Sequence, residues 1–235
     1  MTTLKLGTVA TVIFLVCVHF CAQEQSTSRT AIPAMRQLYV QDQRDRGVLL
    51  TDTGTTPPPS AKADAPEHLS TQQISARDAA RRLRVRQLLD AGELQSAQDF
   101  HDAAFIFQHG QESKDYLLAH ILAIEAVVRG DGSSKWISAA TLDRYLQAIG
   151  QPQVFGTQYS DRDFAFLSQH KGDAAAIAAH KHEDGMTQQP YDEHLMPDPI
   201  RLSFCVPTRS QQRKNLKDFE AGGYPKSILP PGCTH

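Results

Sequence analysis

DFHDAAFIFQHGQESKDYLLAHILAIEAVVRGDGSSKWISAATLDRYLQAIGQPQVFGTQY, residues 99–159, decides the fold. Apolar residues recur in it at the 3.6-residue period of a helix, and glycines punctuate it at Gly110, Gly130 and Gly150. Three helices follow: Ala97 to Gln108, Ser113 to Arg129, and a third that opens at Ser133 or Ser134 and closes at Gly150. The second of these is apolar nearly all round, a pattern that predicts burial on most sides. The loops between them are only a few residues long, so neighbouring helices run antiparallel. The layout is that of a short helix-hairpin solenoid, although no fixed sequence period marks a repeat.

Upstream, Ser75 and Asp78 read as a capping box for a helix that ends at Gly92. Ala76, Ala79, Ala80, Leu83, Leu88 and Leu89 form its buried face, and Arg77, Arg81, Arg82, Arg84 and Arg86 mostly face out. A shorter helix is expected from Pro33 to Val48, ending in the charged run Gln41 to Arg46. Between the two, residues 51–74 are rich in Thr and Pro and read as an extended linker.

Downstream, the helical period fades. Gln153 to Tyr159 and Ile200 to Cys205 are expected as two short strands pairing in a small hairpin. A weak helix spans Asp161 to His180, residues 181–199 read as loop, and a short helix spans Gln211 to Phe219. The expected fold is mainly α: an antiparallel helix-hairpin bundle with a small β-hairpin and an irregular C-terminal tail. The chain divides into residues 1–22, 23–74, 75–160 and 161–235.

Residues 1–22 carry an export pattern. Lys5 precedes an apolar run of about 16 residues from Leu6 to Cys21, and Ala22 is followed by Gln23, Glu24 and Gln25. Cleavage after Ala22 yields a periplasmic or extracellular protein; an uncleaved segment is instead the chain's only contact with a membrane. The mature chain keeps two cysteines, Cys205 and Cys233. In an exported protein an even pair points to a disulfide, closing a loop of about 28 residues and contributing ~3–4 kcal/mol in the chain-entropy model. Two free thiols are the other possibility.

With 235 residues, a net charge of −2 and 7% aromatics, no basic stripe invites nucleic acid. There is no G-x-S-x-G, phosphate-binding loop, dinucleotide fingerprint or H-E-x-x-H, and no cofactor or metal is implied. His180, His182, Glu183, Asp184 and His194 form a His/acid tract that fits a solvated loop better than a metal site. His101 and His120 sit among apolar residues as core or boundary histidines, and Glu125 is either a buried acid or an arginine's surface partner.

One set of elements stands out: Asp42-Gln43-x-x-Arg46, Ala103-Ala104 leading to Gln108-His109, Asp143-Arg144, and Gly150-x-x-Gln153-x-Phe155-Gly156-Thr157-Gln158. In this order they resemble a family of uncharacterised bacterial domains, in which a Tyr stands where this chain has Phe155. The resemblance spans about residues 35–205, with residues 51–74 as an insertion, and brings no biochemical activity. It implies that Asp42, Arg46, Gln108, His109, Asp143, Arg144, Gln153 and Gln158 belong to one polar pocket at the end of the bundle. Two functions fit. In one, the pocket binds a partner protein or a small envelope ligand. In the other, His109 is a general base oriented by Asp143, in a hydrolase acting on an envelope substrate.

Overall fold

A computed structural model describes residues 33–48, 50, 69–223, 225 and 229–233. The export segment 1–22 and most of the Pro/Thr-rich linker lie outside these residues. Among the described residues the chain is mainly helical, with one two-stranded antiparallel sheet.

Helix α1 covers Ala34–Asp45, with Pro33 at its N-cap rather than in its first turn. Helix α2 covers Thr71–Asp90 and starts earlier than Ser75, because Ser70 and Gln73 form the capping box. Ser75 lies inside the helix, where its hydroxyl accepts from Gln111. Helices α3 (Ala97–Phe107), α4 (Ser113–Val128) and α5 (Ser134–Ala148) fall where the apolar period puts them. Ser96 and Asp99 cap α3 reciprocally. At the start of α5 neither serine hydroxyl caps; Asp131 accepts from the Ser133 backbone and from both hydroxyls.

Helix α4 packs between α3 and α5, while α1 lies against α3 and α2. One core binds them: Met35 from α1, Val85 and Leu88 from α2, Ala103 to Phe107 from α3, Ala119, Leu122 and Ala123 from α4, and Ile137 from α5. The expectation that α4 is covered on most sides is corrected. Its small residues Ala119, Ala123 and Ala126 let the neighbouring helices approach closely, and the opposite face, Leu117, Ile121, Ile124 and Val128, is open. Burying alanines satisfies packing without enclosing the larger residues behind them.

Beyond α5 the chain forms β1 (Ser160–Asp161), α6 (Arg162–Gln169), α7 (Ala174–Ala179), β2 (Met186–Thr187), α8 (Asp198–Ser203) and α9 (Arg209–Glu220). The hairpin pairs Ser160 with Thr187 and Asp161 with Met186, so neither expected strand is where the sequence placed it. In the 153–159 segment only Gln153 makes a β-bridge, with Tyr191, and no strand extends from it, because the backbone N–H groups of Val154, Phe155 and Thr157 donate to Asp143. Ile200 to Ser203 is helical, with Pro199 in the first turn, a position that needs no amide hydrogen. Cys205 and Cys233 form the disulfide that ties the tail to the end of α8. A second core joins Ala139 of α5 to Val154, Phe155 and Val206.

Candidate functional site

The residues singled out in the sequence separate into two polar clusters, attached to adjacent residues of α5. The first surrounds Asp143 and the Phe155-Gly156-Thr157-Gln158 turn. Asp143 is fully enclosed. Its Oδ1 accepts from the backbone of Val154 (2.8 Å) and Phe155 (2.9 Å), and its Oδ2 from the backbone (2.9 Å) and hydroxyl (2.7 Å) of Thr157. Burial pushes its carboxyl up, against the pull of these donors. Gln153 is equally enclosed; its carboxamide donates to the carbonyls of Gln158 and Gln188 and accepts from the Gln158 backbone. The Gln158 side chain donates to the Ala140 carbonyl and the Thr157 hydroxyl.

The carbonyls of the same turn are met from the C-terminal region. Arg201, with no exposed surface, donates to Phe155 O (2.6 Å), Val154 O (3.3 Å), Met196 O (2.8 Å) and Gln212 Oε1 (3.1 Å). Gln212 donates to Phe155 O and Gly156 O and accepts from the Tyr191 hydroxyl. Gly156 has φ +68°, and a Cβ there would stand 2.6 Å from the Tyr191 ring and 2.9 Å from Gln212 Oε1. Both the backbone conformation and the close approach require glycine. The turn is therefore a structural knot joining α5 to α8 and α9.

The second cluster lies where the end of α1 meets α2 and the α3–α4 turn. Arg46 spans two carboxylates, with Nη1 on Asp42 (2.8 Å) and Nη2 on Asp78 (2.7 Å). Arg81, expected to face out, is buried and bonds Asp45 and Asp78 (both 2.7 Å). Arg77 closes on the other oxygen of Asp45. Burial pushes the Asp42 carboxyl up to about 6, against Arg46 and Arg81. Burial would raise Asp78 as well, but hydrogen bonds from Arg81 and Arg46 hold it below the usual range.

His109 stands at this cluster with Nε2 3.7 Å from Asp42 Oδ2, beyond hydrogen-bond reach. Burial, with the charges of Arg46 and Arg144 beside it, pushes its pKa down to about 3, so the ring is neutral at pH 7. Its carbonyl accepts from Arg82. Arg144 reaches the cluster from α5, with Tyr116 and Arg46 as its electrostatic neighbours, and burial lowers its proton affinity. Its Nε is sealed from solvent without a partner. Among the described residues no side-chain hydrogen bond is formed by Gln108, His109 or Arg144, and no carboxylate lies within ion-pair distance of Arg144.

The structure thus brings Asp42, Arg46, His109 and Arg144 together, with Gln108 adjoining His109. It places Asp143, Gln153 and Gln158 in the other cluster. The expected orienting bond from Asp143 to His109 is replaced by the four bonds to the turn, and the carboxylate beside His109 is Asp42. Asp78 and Arg81 were missed as members. Their signal is their i,i+3 spacing in α2, opposite an α1 end that carries Asp42, Asp45 and Arg46.

Other candidates resolve into structural roles. Ser134, His101 and Asp131 sit close together, but Ser134 and Asp131 both approach the same ring nitrogen, and Ser134 donates to Asp131. A nucleophilic triad needs the nucleophile and the orienting carboxylate on opposite ring nitrogens of the histidine. His120 bonds the Ser138 carbonyl, and Glu125 pairs with Arg129 at the surface. In the His/acid tract, His180, His182 and the Glu183 backbone converge on Asp163, and no group among the described residues has the arrangement to hold a metal ion. A groove of about 760 Å³ between α9 and the tail, lined by Leu202, Pro207, Asn215 and Leu229, contains none of the residues singled out in the sequence.

No helix among the described residues is long and apolar enough to cross a membrane. Comparison of the chain with known protein families, with characterised proteins and with solved structures finds no match. The family resemblance is carried by its short sequence elements alone.

Proposed function

We propose that this protein is an exported binding domain whose ligand pocket is the polar end of the helical bundle, built from Asp42, Arg46, Gln108, His109 and Arg144. One observation carries the reading: Gln108 is buried and His109 and Arg144 are half-buried, yet among the described residues none of the three makes a side-chain hydrogen bond, and the Arg144 Nε is sealed from solvent without a partner, although buried polar groups in folded proteins are almost always paired. Unspent donors and acceptors brought together from the end of α3 and from α5 are what a binding site requires. Export is supported by the leader pattern of residues 1–22 and by the Cys205–Cys233 disulfide.

Binding is preferred to hydrolysis on two grounds. Asp143 has no free lone pair with which to orient His109. A histidine whose pKa is pushed down to about 3 is also a weak general base at neutral pH. The test is an NMR screen of the purified protein against neutral, acidic and basic small solutes. Perturbations are expected to cluster on Gln108, His109 and Arg144; a screen whose hits cluster on Tyr191 to Gln212, or that finds none, contradicts the proposal. Mass analysis of protein recovered from the producing cell tests export: loss of residues 1–22 is expected, and recovery of the full-length chain from the cytoplasm refutes it.

A further inference from the structure

Among the described residues, charge at this end of the bundle does not balance. Asp42, Asp45 and Asp78 meet Arg46, Arg77 and Arg81, three acids against three guanidinia, in a network of contacts between 2.7 and 2.9 Å. Arg82 lies 3.8 Å from Asp115. Arg144 is left over. It is the arginine of this cluster without a carboxylate in reach, and its electrostatic neighbours are a tyrosine and another cation. The one acid adjacent in sequence, Asp143, is consumed by the turn on the other side of α5.

Arg144 is half-buried, with its Nε sealed and no counter-charge in reach; burying part of a guanidinium in this way is costly, and water restores hydrogen bonds but not charge. A cation or a metal ion would add to the imbalance. A neutral solute would leave it. Only an anion removes it, and the planar fork of a guanidinium matches the paired oxygens of a carboxylate or a phosphate. The neighbours suit such a guest. Gln108, next to His109 in the chain, is buried and makes no side-chain hydrogen bond among the described residues, and His109, neutral at pH 7 and within the electrostatic reach of Arg144, is able to donate through one ring nitrogen. Arg46 adds positive potential from the side while staying bonded to its two acids.

We propose that the pocket takes a small oxyanion, carboxylate or phosphate, bound head-on by the Arg144 guanidinium with the Gln108 carboxamide and the His109 ring alongside. This rests on the polar end of the bundle being the binding site.

The test titrates the purified protein with acetate, succinate, phosphate and sulfate at constant ionic strength in chloride, following the Arg144 Nε–Hε resonance and the His109 ring. The expected result is a saturable shift of both, weakened about tenfold or more in Arg144→Met, partly retained in Arg144→Lys, and unchanged in the surface variant Arg213→Gln. Comparing the carboxylates with phosphate and sulfate separates the two oxyanion classes. The proposal is overturned if neither resonance moves up to about 50 mM, well beyond a millimolar Kd, or if Arg144→Met and Arg144→Lys bind as the parent does. Neutral solutes that move Gln108 and His109 when no anion does would overturn the oxyanion while leaving the pocket; a screen in which nothing moves them would overturn both.

Discussion

Asp143 and Arg144 are neighbours in α5, and each anchors a polar cluster of opposite character. Around Asp143 the accounting is complete: four donors reach its oxygens, and Arg201 and Gln212 take the turn carbonyls. Around Arg144 it is open, with a half-buried guanidinium, an imidazole and a carboxamide that form no side-chain hydrogen bond among the described residues. Both clusters are rich in the same residue types, so composition does not tell them apart. Satisfaction does. A closed network specifies one arrangement of the chain, whereas unspent groups carry a standing cost that a ligand relieves.

The contrast breaks most readily at the closed cluster. Asp143→Ala strands three buried backbone N–H groups and a hydroxyl, and is expected to cost about 3–5 kcal/mol in urea denaturation. Oxyanion affinity of the fraction that remains folded should be preserved; loss of affinity in a folded Asp143→Ala protein would mean that the two clusters act as one. Gly156→Ala comes next, at about 2–4 kcal/mol, from left-handed strain and collision with Tyr191. A cost under about 1 kcal/mol would show that the turn gives way easily.

Asp102 tests a third arrangement, with one oxygen accepting two hydrogen bonds and the other sealed without a partner. It is fully enclosed, bonded by Arg36 (2.6 Å) and Gln98 (2.8 Å), with Oδ2 unpartnered, and burial pushes its pKa up to about 7. Because the folded value lies above the ordinary 3.8, the folded state binds the proton more tightly. The group's contribution to stability is present in full below about pH 4 and is lost as pH rises through about 7. Asp102→Asn should flatten the decline between those values by roughly 3–4 kcal/mol, leaving the smaller slope due to Asp42. Parallel pH–stability curves for the two proteins would contradict the assignment.

Much of the bundle was legible in the sequence. The helical period and glycine stops located α3, α4 and α5 to within a residue or two, because local pattern determines such elements. The disulfide followed from cysteine count and compartment. What misled was whatever depends on distant partners. Phe155 to Gln158 looks like a strand until Asp143 claims its amides, and Ile200 to Cys205 looks like one until Arg201 turns inward to the same turn. Arg81 reads as surface because only Asp78, three residues before it, is local; Asp42 and Asp45 reach it from α1. The site was half legible: motif order brought Asp42, Arg46, His109 and Arg144 together, but whether Asp143 faced His109 or the turn depended on which side of α5 each neighbour points to.

Arg144→Met puts the central claim, that the Arg144 cluster serves ligand binding and the Asp143 cluster is a structural knot, to its most direct test. The substitution keeps the aliphatic packing and removes only the unpaired charge. Urea unfolding at pH 7 without added oxyanion should show a variant as stable as the parent or more so, by up to about 1 kcal/mol. A loss of more than about 1.5 kcal/mol would mean that the guanidinium holds the fold together, and would contradict the account.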